Sequence, residues 1–239
     1  MCKEWILLYL IKEEIEVKVI FETVFDLTYL IGGLILGIRI LSKSKPGSNS
    51  RLFAYMTLIL VFGDMFHLVP RIYGFYFGLT ENVMIAQGYG KMVTSITMTF
   101  FYIILYVFWR KRYYISGKRH YTVMMILLSV SRILLCVNPS NQWTLANTAY
   151  EWGIYRNIPF MLIGILMIYI FYSTRNKLEN DSLRNMWLAI LLSFFFYLPV
   201  ILFVDFIPAV GMLMIPKTIA YVWMIFMGYQ ALRDDFSNM

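Results

Sequence analysis

Residues 52–71 read LFAYMTLILVFGDMFHLVPR, and this stretch decides the class of the whole chain. As a helix rising about 1.5 Å per residue it would reach roughly 30 Å, the thickness of a bilayer's hydrocarbon core. Its first eleven residues carry no charge, whereas Asp64, His67 and Arg71 crowd its far end at the spacing i, i+3, i+7, one face of a helix. Six further runs of similar length occur at 23–40, 84–109, 121–137, 150–172, 186–207 and 209–232. None alternates with the period of two expected of barrel strands, and backbone groups in lipid must be satisfied within their own segment. The expectation is an all-α, polytopic membrane protein: a bundle of seven transmembrane helices over residues 21–232, with a cytoplasmic tail at 233–239.

Composition agrees, at 60% hydrophobic and 18% aromatic residues with a mean hydropathy of +0.66. The formal net charge of +7 does not point to nucleic acid, because its basic residues sit in short loops rather than in a solvated domain. Arg39, Lys43, Lys45 and Arg51 flank the first loop. Arg110, Lys111, Arg112, Lys118 and Arg119 flank the third, and Arg175, Lys177 and Arg184 the fifth. By the positive-inside rule these loops are cytoplasmic, which puts the N-terminus outside and the C-terminus inside. A multi-pass protein of the cell (plasma) membrane is expected. Trp109, Trp143, Trp152 and Trp187 fit an interfacial aromatic belt.

Residues 1–20 read as an N-terminal extension. Its apolar run is too short for a signal peptide, and Glu13, Glu14 and Glu16 follow at once. Two accounts are open: translation beginning near Val17 to Phe21, or an amphipathic interfacial helix carrying Trp5, Leu8 and Tyr9. Cys2 and Cys136 are too few for a disulfide framework.

The charged residues within the spans are one-sided. Glu22, Asp26, Asp64, Glu151, Asp205, Arg71, Lys91, Arg132, Arg156 and Lys217 all fall in the outer half or at its rim, and intramembrane charges normally face a bundle interior or a wet cavity. Thr94, Ser95 and Thr99 continue the Lys91 stripe, and Tyr221 continues that of Lys217. An outward-facing polar pocket for a small polar or amphiphilic ligand follows, with Glu22, Asp26, Arg71, Lys91, Thr94, Ser95, Arg132, Glu151, Arg156, Lys217 and Tyr221 as candidate ligand contacts. Membrane lipids are natural partners. Heights of roughly 18 and 16 Å for Asp64 and Arg132, and roughly 21 and 23 Å for Asp26 and Lys217, predict two ion pairs if the second helix lies beside the fourth and the first beside the seventh. Such pairs would also serve simply to fix helix register.

Candidate chemistry is sparse. Asp64 and His67 are the candidate acid–base pair of an enzyme. No nucleophile elbow, phosphate loop or HExxH motif is present. A metal site would need Asp64 and His67 with Glu22 or Asp26, so neither a metal nor an organic cofactor is expected. A retinal Schiff base on Lys217, with Asp26 or Asp64 as counter-ion, is a further reading.

Gly63-Asp64, followed by Leu68, Pro70 and Arg71, resembles the Gly-Asp segment of the YhhN-type lysoplasmalogenases, membrane hydrolases of vinyl-ether lysolipids. That resemblance implies lipid hydrolysis at Asp64 and His67, although the family's late Ser-Asp motif is replaced here by Ser193-Phe194. The longer run Gly63-Asp64, His67-Leu68-Val69-Pro70-Arg71, Gly90-Lys91 and Thr94-Ser95-Ile96-Thr97-Met98-Thr99 is similar to a group of seven-helix bacterial membrane proteins. It implies their architecture and no particular activity.

Overall fold

A computed structural model describes the backbone of residues 2–145 and 149–237, and side chains within 16–145 and 149–232. Seven long helices account for it: α1 (Cys2–Lys43), α2 (Asn49–Phe77), α3 (Glu81–Arg112), α4 (Arg119–Val137), α5 (Tyr150–Thr174), α6 (Met186–Phe203) and α7 (Met214–Ser237). Each contains a stretch long and apolar enough to cross a membrane, and no strand occurs among the described residues. The chain is an integral membrane protein with a seven-helix bundle.

Residues 2–20 are helical and run unbroken into the first span. The side chains of Trp5, Leu8 and Tyr9, and the tail from residue 233, lie outside the described side chains. Ser48 and Thr80 start α2 and α3 by accepting hydrogen bonds from the amides of Arg51 and Val83, satisfying donors that a helix start leaves open.

Consecutive helices pack side by side, with α3 also reaching α5, and α7 packs mainly against α6, closing the ring with light contacts to α2 and α1. The three basic loops share one end. Lys111 donates to the Gly47 carbonyl, while Arg112 meets the buried carboxylate of Asp181 at 3.0 Å, tying the first, third and fifth connections together. Tyr113 also donates to Asp181, and Lys177 to the Tyr113 carbonyl. Burial, reinforced by that carboxylate, pushes the Tyr113 hydroxyl well above its ordinary pKa, so it stays a neutral donor.

The inner half of the bundle is filled by aromatic and aliphatic side chains, among them Phe53, Phe108, Trp109, Phe171 and Met186, all fully buried. Outward faces instead expose Ile31, Ile35, Leu127, Leu134, Phe195 and Phe226, a surface suited to lipid. Two of the four tryptophans expected in an interfacial belt are internal. Trp109 is buried and donates its indole N–H to Thr174, and Trp143 is 6% exposed and donates to the Cys136 carbonyl. An indole whose N–H finds a partner inside the fold has no need of the headgroup layer.

Candidate functional site

Polar stripes from α1, α2, α3, α5, α6 and α7 converge at the end opposite the basic loops. On α1, Glu22 and Asp26 are buried, one helical turn apart. Arg71 of α2 donates to Glu22 at 2.6 Å, and Lys18 approaches the other Glu22 oxygen at 4.0 Å. One turn further in, Tyr29 donates to the Asp64 carboxylate at 2.7 Å. The first two helices are therefore joined by an ion pair at the rim and a hydroxyl–carboxylate bond below it.

On α3, Thr94 donates to the Gly63 carbonyl at 2.9 Å and Ser95 to the Lys91 carbonyl at 2.8 Å. Both hydroxyl protons are thus engaged by backbone. What these residues offer a ligand is oxygen lone pairs. The Lys91 ammonium makes no hydrogen bond or ion pair among the described residues, and the charges acting on it most strongly are Arg156, Asp205 and Arg71.

Arg156 of α5 donates to Asn141 at 2.8 Å and lies 4.3 Å from the Trp143 ring centre. The turn at Pro139–Asn141 is itself pinned, since Asn141 donates to the Leu135 and Asn138 carbonyls. Tyr197 of α6 donates to Asn157 at 3.1 Å. Its ring faces the Lys217 ammonium at 4.2 Å, with the Tyr221 ring at 5.6 Å on another side.

These groups line two neighbouring spaces. The larger, of about 810 Å³, is lined by Lys18, Arg71, Lys91, Arg156 and Lys217 against only two carboxylates, Glu22 and Asp205, with an apolar wall that includes Phe75, Val200 and Ile201. The smaller, of about 50 Å³, has three carboxylates, Glu22, Asp26 and Asp64, and two cations, Arg71 and Lys217. Glu22, His67, Arg71, Thr94 and Lys217 border both.

Nine of the eleven residues expected to contact a ligand line one or both spaces; Arg132 and Glu151 line neither. Glu151 is exposed in the first turn of α5, pointing away because the face that turns inward there carries Gly153, Arg156 and Asn157. Arg132 is 2% exposed, with its guanidinium stacked 3.3 Å from the Phe160 ring centre and Nε and Nη1 without hydrogen-bond partners.

Both expected ion pairs are absent among the described residues. The reason is helix order: α3 lies between α2 and α4, which separates Asp64 from Arg132. On α7, which touches α1 and α2 only lightly, Lys217 comes within the field of Asp64, while Asp26 faces Arg71. Asp64 and His67 form no mutual hydrogen bond, and the His67 Nδ1 is buried without a partner. No grouping of three His, Cys, Asp or Glu side chains with metal-binding geometry occurs among the described residues.

Sequence reasoning missed four contributors: the Tyr29 hydroxyl as the partner of Asp64, the Asn157–Tyr197 bond, the Asn141–Trp143 cradle for Arg156, and Gln87, which lines the larger space. Tyr29 and Asn157 had a signal, since each lies on or beside a polar stripe. The cradle had none, because it is built from a turn distant in space from any periodic face. Compared with models of known protein families, with curated proteins and with solved structures, the chain matches none.

Proposed function

We propose that the protein binds an anionic amphiphile in the larger cavity, for sensing or carriage, with its charged group among Lys91, Arg156 and Lys217 and its apolar part against α6. One observation supports this reading above the rest: five cations and two carboxylates face a space of about 810 Å³, large enough for a drug-sized or lipid-fragment ligand. Glu22 is engaged by Arg71, which leaves Lys18, Lys91, Arg156 and Lys217 against Asp205 alone. Unbalanced cations inside an apolar bundle are costly, and an incoming phosphate or carboxylate group offsets that cost. In this reading the positive-inside rule orients the cavity outward, and the protein belongs to the cell membrane.

The test is thermal stability in detergent micelles doped with an anionic or a zwitterionic phospholipid. At a hundredfold excess over Kd a ligand adds about 2.7 kcal/mol of apparent stability. The anionic lipid should raise Tm, and Lys91→Gln with Arg156→Gln should abolish the rise. Equal stabilisation by both lipids would defeat the proposal. Native mass spectrometry from mild detergent would then identify a co-purifying ligand.

A second reading, hydrolysis of a lysolipid, draws on His67, whose unpartnered Nδ1 lies at the wall shared by both spaces. Under it, purified protein converts added lysolipid, and Asp64→Asn stops conversion with little change in Tm. Absence of turnover by the folded wild-type protein removes this reading.

A further inference from the structure

The smaller space differs from the larger in sign. Its three carboxylates come from two helices, Glu22 and Asp26 on α1 and Asp64 on α2, and its two cations are Arg71 on α2 and Lys217 on α7. Arg71 is paired with Glu22 at 2.6 Å. Asp64 holds the Tyr29 hydroxyl at 2.7 Å and lies in the field of Lys217. Asp26 remains. It is 7% exposed, its Oδ2 is enclosed and receives no hydrogen bond, and of the charges acting on it the strongest, Arg71, is already engaged by Glu22, while Glu22 and Asp64 are negative. Three carboxylates facing two cations in a low-dielectric interior are costly without one more positive charge.

The chamber has room for that charge and little else. At about 50 Å³ it takes one or a few species the size of water, and its wall also includes the hydroxyl-bearing residues Thr94, Thr218 and Tyr221. A divalent ion would want three or more well-placed anionic or imidazole ligands, a geometry not found among the described residues. We propose that the chamber beside Asp26 is a binding site for one exchangeable monovalent positive charge, a proton or an alkali cation, seated against the wall of the anion-binding cavity. Because Glu22, Arg71 and Lys217 border both spaces, filling the chamber would bias the same side chains that face the larger ligand.

The two sources separate in one experiment on the purified full-length protein in detergent. Tm is recorded in sodium, potassium and N-methylglucamine chloride at equal ionic strength and pH, then in N-methylglucamine chloride alone from acid to mildly alkaline pH. An alkali-cation site gives a saturable rise with sodium or potassium that N-methylglucamine does not reproduce. A proton site gives a Tm that falls as pH rises, whichever salt is present. In either case Asp26→Asn, which keeps the shape of the protonated acid, should abolish the response; Asp26→Ser serves if that variant does not fold. His67, Asp64, Glu22 and Lys217 also face the chamber, so a response that survives intact in the Asp26 variants overturns the proposal. A wild-type Tm indifferent to both series overturns it as well. The Lys91→Gln, Arg156→Gln variant should keep the cation response, so failure of the lipid-binding reading and failure of this one are distinguishable.

Discussion

Tyr29 and Arg132 show how differently two buried polar side chains are held. The Tyr29 hydroxyl, on a residue 6% exposed, gives Asp64 its one direct donor among the described residues. A buried bond to a charged acceptor contributes about 1.5–3 kcal/mol, so Tyr29→Phe should lower unfolding stability in detergent by that much. Arg132 has no carboxylate partner among the described residues, rests on Phe160, and leaves two nitrogens unpaired. Replacing a buried, poorly compensated charge by an apolar side chain of similar length is commonly neutral or stabilising. Arg132→Met should therefore hold or raise Tm. A loss of several kcal/mol would show instead that the guanidinium has an essential counter-charge. The candidate site was legible in the sequence wherever a polar residue sat on a helical stripe, as with Asp26, Asp64, His67 and Lys217. Arg132 lay at a suitable height too, but height alone does not say which neighbour a helix face meets.

At the scale of elements, the seam between α2 and α3 holds the site's geometry. Pro70 has no amide hydrogen, so the Phe66 carbonyl one turn earlier loses its helical donor, a usual origin of a kink in the middle of a span. Gly90 of α3 packs directly on that carbonyl: a Cβ built there meets the Phe66 oxygen and lies 2.8 Å from the His67 Cα. Close backbone approach through small residues is how helices associate without a hydrophobic drive between them. Gly90→Ala should force the two helices apart and cost about 2–3 kcal/mol, with loss of any ligand-dependent Tm rise, because Lys91 and His67 flank the contact. Gly32 of α1 has open space where its Cβ would stand, so Gly32→Ala should leave stability within about 1 kcal/mol of wild type. Helix existence was readable from the apolar runs. The seam was not, because a glycine's role depends on what faces it.

For the molecule as a whole, the ends of the bundle are chemically distinct, one tied by the Arg112–Asp181 and Lys111–Gly47 contacts and the other hollow and charge-lined. In a Cys2→Ser background, with Cys136 buried, single cysteines report topology cleanly. Ser140→Cys should react with a membrane-impermeant maleimide in intact cells, and Ser116→Cys only after permeabilisation, both positions being exposed. The opposite pattern would invert the assignment by charge. Seven spans and their places along the chain were determined by the sequence itself, because the cost of placing backbone groups in hydrocarbon acts on each segment alone. Which charges meet was decided only by tertiary structure. The partners of Asp64, Asp26 and Lys217 depend on α3 standing between α2 and α4 and on how α7 closes the ring beside α1 and α2, and the latter placement arises from packing between helices far apart in the chain.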